Sequence, residues 1–148
     1  MSGHPLTFRE IAFGTHEYRL ACQLREEVLR RPLGLWLREE DLAGEKTQLH
    51  FGLFAPDGTL VGCVVAVPLS PTDARIRQMA VSPSHRRKGL GRRILEELET
   101  TLKARGFRHF VLDARTSAAG FYERLGYTVV GEEFLEVTLP HVRMEKDA

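Results

Sequence analysis

Arg86-Arg87-Lys88-Gly89-Leu90-Gly91 crowds basic side chains and glycines into one short run. It follows an apolar stretch ending Met79-Ala80-Val81 and a Ser82-Pro83 turn, and it opens a segment in which Leu90, Ile94, Leu95, Leu98 and Leu102 recur at helical spacing. The first N–H groups of a helix have no intrahelical partner and carry the positive end of its macrodipole, so such a start suits a phosphate or pyrophosphate. Glycines there let the backbone turn tightly and let a bulky anion approach the amides. Taken alone, an Arg/Gly run is as often a solvated turn. The two common nucleotide loops do not fit: no G-x-x-x-x-G-K-[ST] occurs, and no G-x-G-x-x-G follows a strand. Downstream, Tyr122 offers a phenol that is protonated at neutral pH and can donate to a leaving group, or can pack its ring and cap a chain end.

In this arrangement Arg86-x-x-Gly89-x-Gly91, with the strand before it, resembles the acetyl-CoA signature R/Q-x-x-G-x-G/A of the GNAT N-acetyltransferases. Ala119-Gly120-Phe121-Tyr122-Glu123-Arg124-Leu125-Gly126-Tyr127 resembles that family's second block, A-x-x-F-Y-x-x-x-G-F/Y, and follows in the right order after one helix and one strand. The resemblance implies an α/β fold with a central, mostly antiparallel twisted sheet of six to seven strands flanked by about four helices. It implies acetyl-CoA as co-substrate, its pyrophosphate on the amides of Arg86, Arg87, Lys88, Gly89, Leu90, Gly91 and Arg92, and its pantetheine arm paired with the backbone of Met79, Ala80 and Val81. It also implies Tyr122 as general acid toward the departing thiolate, in contact with the cofactor.

Two family features are missing. Many members carry a base glutamate on the strand before the loop, where this chain reads Arg75-Ile76-Arg77-Gln78-Met79. The asparagine often found after the fifth strand is replaced by Asp113-Ala114-Arg115-Thr116-Ser117. A base must then come from Glu133, Glu136, His141, His50 or ordered water. His141 and Glu133 are taken as the catalytic candidates beside Tyr122. Leu24-Arg25, Asp41-Leu42-Ala43-Gly44, His50 and the tail Glu133 to Met144 further resemble the ElaA-type subgroup, whose tail reads roughly E-x-G-I-P-H-x-x-M. Here Val137-Thr138 stands in place of its acidic-glycine pair.

The elements that must hold these residues are legible in outline. A chain of 148 residues suits one domain over residues 1–148. At 43% hydrophobic and 28% charged it has the composition of a soluble globular protein. A net charge of +1 argues against nucleic acid as the main partner. Cys22 and Cys63 lack metal-ligand spacing, no metal site is expected, and reduced thiols in a cytoplasmic protein are the plainer expectation, with a disulfide as the lesser alternative. No leader pattern opens the chain, and no apolar run nears the roughly 18 residues of a membrane span.

Patterning predicts a strand over Thr7 to Phe13, and a helix from a Thr15 cap to about Arg30 with Leu20, Leu24, Val28 and Leu29 as its buried stripe. Arg19, Arg25, Glu26 and Glu27 fall off that stripe and read as a solvated face. Arg31 to Leu37 breaks the helix with apolar residues that either fold over a pocket or pack as satellite core, and Asp41 to Glu45 reads as a polar connector. Gln48 to Phe54 and Leu60 to Val67 form a hairpin across Pro56-Asp57-Gly58. Strands follow at Ala74 to Val81, Phe110 to Ala114, Tyr127 to Phe134 and Pro140 to Met144, with helices up to Gly106 and, capped by Ser117, up to Gly126. Glu145 to Ala148 is expected to fray.

The function these features imply is acetyl transfer to a primary amine of a small molecule or peptide, with room for a homodimer. The alternatives are a catalytically silent acyl-CoA sensor and transfer to a hydroxyl. The amine is expected between Arg31 to Leu37 and the C-terminal strands, drawn by Glu133 and Glu136.

Overall fold

The computed structural model describes residues 5–35, 37 and 42–148. Strands β1 (Thr7–Ile11), β2 (Leu49–Phe54), β3 (Leu60–Pro68), β4 (Asp73–Val81), β5 (His109–Arg115), β6 (Thr128–Glu136) and β7 (Leu139–Asp147) form one sheet in the order β1-β2-β3-β4-β5-β7-β6. Every neighbouring pair is antiparallel except β4 and β5. Among the described residues the α-helices are α1 (His16–Arg25), α2 (Leu90–Ala104) and α3 (Ala119–Arg124).

Helix α2 lays Leu90, Ile94, Leu95, Leu98 and Leu102 on the sheet, in the main core with Phe51, Val64, Ile76 and Phe110. Helix α1 covers the other face, where Tyr18, Ala21 and Leu24 meet Ile11, Phe54, Cys63 and Ala80. This double cover explains the nearly unbroken apolar run of β3. Gly62 permits the close approach of α2, since a Cβ there would stand 2.5 Å from Ile94 Cδ1.

Thr15 caps α1 as expected, its side chain accepting from the Tyr18 amide at 3.2 Å. The α-helix ends at Arg25, however, and a π-helical turn over Glu26–Arg30 and a 3-10 turn over Arg31–Leu33 carry the chain on to Gly34. Ser117 does not cap α3: a 3-10 turn spans Thr116–Ala118, and Ala118 is the N-cap residue with no side-chain bond. The C-terminus does not fray either. β7 runs to Asp147, paired through Asp147↔His109, and the His109 ring bridges Glu145 at 2.8 Å and Asp147 at 2.7 Å. The charged tail segment therefore gains partners from β5 on one side, while Glu145 pairs with Thr128 of β6 on the other. Cys22 and Cys63 are both free thiols, with Cys63 buried and pushed up to about 12 by its burial. No helix among the described residues is long and apolar enough to cross a membrane.

The β6–β7 hairpin turns on Val137 (φ 51°) and Thr138 (φ 62°). Left-handed conformation at both central residues matches the twist of the strands but suits Asn-Gly, and β-branched residues are strained there. Thr138→Gly is expected to raise stability by about 1 kcal/mol. Denaturant midpoints of the two proteins test this, and an unchanged or lower midpoint would deny the strain.

Candidate active site

β4 and β5 pair in parallel only over Asp73, Ala74 and Arg75, opposite His109, Phe110 and Val111. Beyond Arg75 the β5-facing edge of β4 has no strand partner. The cause lies in β4 itself. Opposite β3 the register jumps from Cys63↔Ala80 to Val65↔Arg77, so Gln78 and Met79 together oppose Val64, and Gln78 takes φ 55°. A bulge bends the strand and reverses its facing. Before it, Ala74 and Ile76 face the α2 core; after it, Met79 and Val81 do, and Ala80 turns toward α1. Backbone donors and acceptors of Met79 to Val81 are thus left on an open edge, available to an extended ligand as they would be to an added strand.

Past Val81 the chain passes a 3-10 turn at Pro83–His85 and reaches Arg86, Arg87, Lys88 and Gly89, all exposed. Gly89 is the N-cap of α2 in the left-handed conformation (φ 71°), a place where glycine carries no Cβ penalty, and no side chain caps the helix. The first helical bond runs from the Arg93 amide to Gly89 O at 3.1 Å, so the amides of Leu90, Gly91 and Arg92 point outward without intrahelical partners. Arg86, Arg87 and Lys88 make no ion pair among the described residues. Orphan amides, a positive dipole end and unpaired cations in one place fit a pyrophosphate.

At the open end of the splay lies a cleft of about 530 Å³. β4 contributes Arg75 to Met79, β5 contributes Leu112 to Arg115, the turns after α1 contribute Leu29, Arg30 and Leu33, and the far wall is Glu136, Val137, Leu139 and His141. Tyr122 reaches the same cleft. Its position is fixed through the end of α3. Gly126 (φ 97°) lets the chain reverse so that the Gly126 amide donates to Glu123 O and the Tyr127 amide to Tyr122 O, with the Tyr122 and Tyr127 rings edge to face at 6.0 Å. Tyr127 is anchored in turn by its hydroxyl, which donates to Glu99 at 2.9 Å. The Tyr122 hydroxyl meets no hydrogen-bond partner among the described residues, and burial pushes its pKa up, so it stays protonated.

His141 is buried at the cleft wall. Its Nδ1 lies 2.8 Å from Leu139 O. A carbonyl only accepts, so Nδ1 carries a proton, and in the neutral ring the lone pair falls to Nε2, 3.8 Å from Glu136. Glu133 is exposed on β6 and does not line the cleft; the bulge between Val130 and Phe134 and the outward face of this edge strand set it apart. His50 is buried against Glu45, its Nε2 2.8 Å from Glu45 O, and does not line the cleft either. Trp36 and Asp41 lie outside the described residues.

Two sequence expectations are overturned behind the cleft. Arg25 is 1% exposed rather than solvated, and Glu45, expected in a polar connector, is 0% exposed. Arg25 grips Glu45 through both oxygens at 2.9 and 2.6 Å, Tyr18 donates to it at 2.7 Å, and Arg77 donates at 3.0 Å. Arg25 Nε also reaches Gln78 at 3.3 Å, which ties the bulge to the network. Burial, the largest single influence, opposes the charge on Glu45, but the donors from Arg25, Tyr18 and Arg77 together outweigh it and hold the carboxyl at about 2. The alternation Arg75-x-Arg77 already placed both arginines on one face of a strand. Their partners were invisible to sequence spacing.

A splayed parallel pair, an uncapped glycine-led helix and a tyrosine at the splay define an acyl-CoA-dependent transferase type of fold. The acetyltransferase (GNAT) domain model matches residues 37–148, and the chain belongs to the GNAT acetyltransferase family. Bacillus subtilis YjcF, an uncharacterized N-acetyltransferase, is 39% identical over 93% of this chain and 97% of its own length. The chain spans about half the length, 50% and 49%, of two further Bacillus subtilis relatives, at 38% and 42% identity. Among solved structures, one from Lactobacillus plantarum superposes with a TM-score of 0.87 at 23% identity, over 96% of this chain and 97% of that one. Escherichia coli ElaA superposes at 0.78 and 19% identity, over 97% and 99%. A GNAT acetyltransferase from Elizabethkingia anophelis, solved with acetyl-CoA bound, superposes at 0.75 and 15%, over 97% and 98%.

Proposed function

We propose that this chain, acting as one domain, transfers the acetyl group of acetyl-CoA to a primary amine of a small molecule or peptide. The observation that carries the proposal is the continuous path from the uncapped start of α2, along the open edge of β4, to a cleft that holds Tyr122 and His141. The Elizabethkingia relative's bound acetyl-CoA supports the choice of donor. When bound, acetyl-CoA supplies a thioester whose C–S bond breaks as a C–N bond forms to the acceptor.

The amides of Leu90, Gly91 and Arg92, with Arg86, Arg87 and Lys88, hold the pyrophosphate, and the free edge of Met79, Ala80 and Val81 orients the arm. His141 Nε2 takes the proton that the amine must lose, and the Tyr122 hydroxyl gives one to the departing sulfur. The Leu139 carbonyl fixes Nδ1 as the donor nitrogen, which makes Nε2 the nitrogen that can accept a proton, and burial keeps the phenol neutral. Glu133 has no part in this scheme.

Release of free CoA thiol from acetyl-CoA, measured across a panel of amines, tests the reaction; no release with any amine would remove it. Acetyl-CoA is also expected to raise the melting temperature, because a ligand that binds only the folded state stabilises it by mass action. Gly91→Glu should abolish that rise. A Cβ at Gly91 is itself tolerated, with Phe121 Cζ at 3.6 Å, so the loss would report charge and bulk set against the phosphates rather than misfolding. A melting shift retained in this variant would remove the α2 start as the pyrophosphate site.

A further inference from the structure

We propose, building on the acetyl-transfer reading, that the acceptor amine carries an anionic group, a carboxylate or a phosphate, which seats on Arg30 and Arg75 in the cleft. Arg30, Arg75, Arg77 and Arg115 all line the cleft, and the carboxylates beside them are oversubscribed. Asp113 serves both Arg75 and Arg143. Glu45, behind the wall, serves both Arg25 and Arg77. Arg30 and Arg115 make no ion pair among the described residues, and Glu136 is left as the one further carboxylate in the lining.

Two of these guanidiniums also carry an unmet donor. Nε of Arg30 and Nε of Arg75 are buried and meet no acceptor among the described residues. Asp113 holds Arg75 by Nη2 and is shared with Arg143, so it spends only part of the five donors of the Arg75 guanidinium. A guanidinium presents a planar fork of N–H donors that matches the paired oxygens of a carboxylate or phosphate. Buried polar groups are nearly always satisfied, and two unmet donors on arginines that line one cleft add to its unspent hydrogen-bonding capacity.

The donor's own phosphates have a separate seat, at Arg86 to Arg92, on residues that do not line this cleft. Leu29, Leu33 and Leu139 supply apolar wall for a short stem, and about 530 Å³ falls within the range of small-molecule clefts. Glu136 remains in the lining to draw a cationic amine, Glu133 does not line the cleft, and the surplus around Glu136 is positive. A polyamine or a lysine-rich peptide would meet like charge.

The test uses the full chain with acetyl-CoA and matched amines, ethanolamine phosphate against ethanolamine and β-alanine against propylamine, read as CoA thiol release. At least one anionic member should exceed its neutral partner in kcat/KM by about tenfold or more, and the two pairs separate phosphate from carboxylate. Arg30→Gln and Arg75→Gln should each collapse that ratio toward one through KM, while Arg30→Lys keeps part of it by keeping the charge. Calorimetric titration of the same amines into the CoA-bound protein reads recognition without turnover. Anion-selective binding with no thiol release would uphold the arginine site and sink acetyl transfer. Thiol release with no preference in either pair, or variants that slow both members alike, would overturn the anionic acceptor while leaving acetyl transfer intact. No selectivity in either measurement overturns it as well.

Discussion

Glu45→Gln is expected to destabilise the fold by about 3–5 kcal/mol, the range found when one member of a buried ion pair is removed. The reason is what remains. Arg25 is 1% exposed and keeps its charge, so the variant strands a buried guanidinium without a counter-charge, and its single amide oxygen cannot serve Arg25, Tyr18 and Arg77 as the two carboxylate oxygens do. The same carboxylate makes stability depend on pH. In the fold it sits at about 2, below its ordinary 4.5, so the unfolded chain binds the proton more readily. Its contribution is fully present above about 4.5 and is lost as pH falls toward about 2. Denaturant titrations from pH 7 to 2.5 should show wild type losing stability faster on acidification than Glu45→Gln. A penalty under about 1 kcal/mol, or acid limbs of equal slope, would show that solvent screens the pair.

Tyr122→Phe is expected to lower turnover about a hundredfold, the scale of general acid catalysis, with acetyl-CoA affinity nearly intact. The substitution removes only the hydroxyl. The ring stays packed edge to face on Phe121 at 5.0 Å and Tyr127 at 6.0 Å, and the backbone closure at the end of α3 is untouched. No protein partner among the described residues loses a hydrogen bond, so stability should change little and a drop in rate reports chemistry. Single-turnover rates and an acetyl-CoA melting shift measured side by side separate the two. Full activity at neutral pH would show that the thiolate leaves unaided, and equal loss of binding and rate would make Tyr122 a wall of the cleft rather than its acid.

Local spacing carried much of this protein. The glycine-led start of α2, its apolar stripe, the Thr15 cap and the glycines that end α2 and α3 are short-range features, and short-range physics decides them. The uncapped start of α2 was legible for that reason: it depends on backbone amides and on the absence of side chains, both written directly in Arg86-x-x-Gly89-x-Gly91. The FY pair and the glycine four residues after Tyr122 likewise mark a helix end that aims one phenol.

The acceptor side obeyed different rules. Arg25 and Glu45 look like ordinary surface charges in sequence, and only packing of α1 on the bulged β4 brings them to bury each other. Gln78 gives no local sign that it will adopt positive φ and split β4 from β5. His109 could not announce that it would fasten the last residues of β7, since Glu145 and Asp147 reach it across a strand pairing set by the whole sheet. The family and the glycine-led start of α2 followed from the sequence by itself, because they rest on residues that act within a few positions of one another. Which histidine faces the cleft, which glutamate does not, and which arginines are left without carboxylates were decided only by the tertiary structure, because a charge is free or spent according to neighbours that lie up to dozens of residues away in the chain.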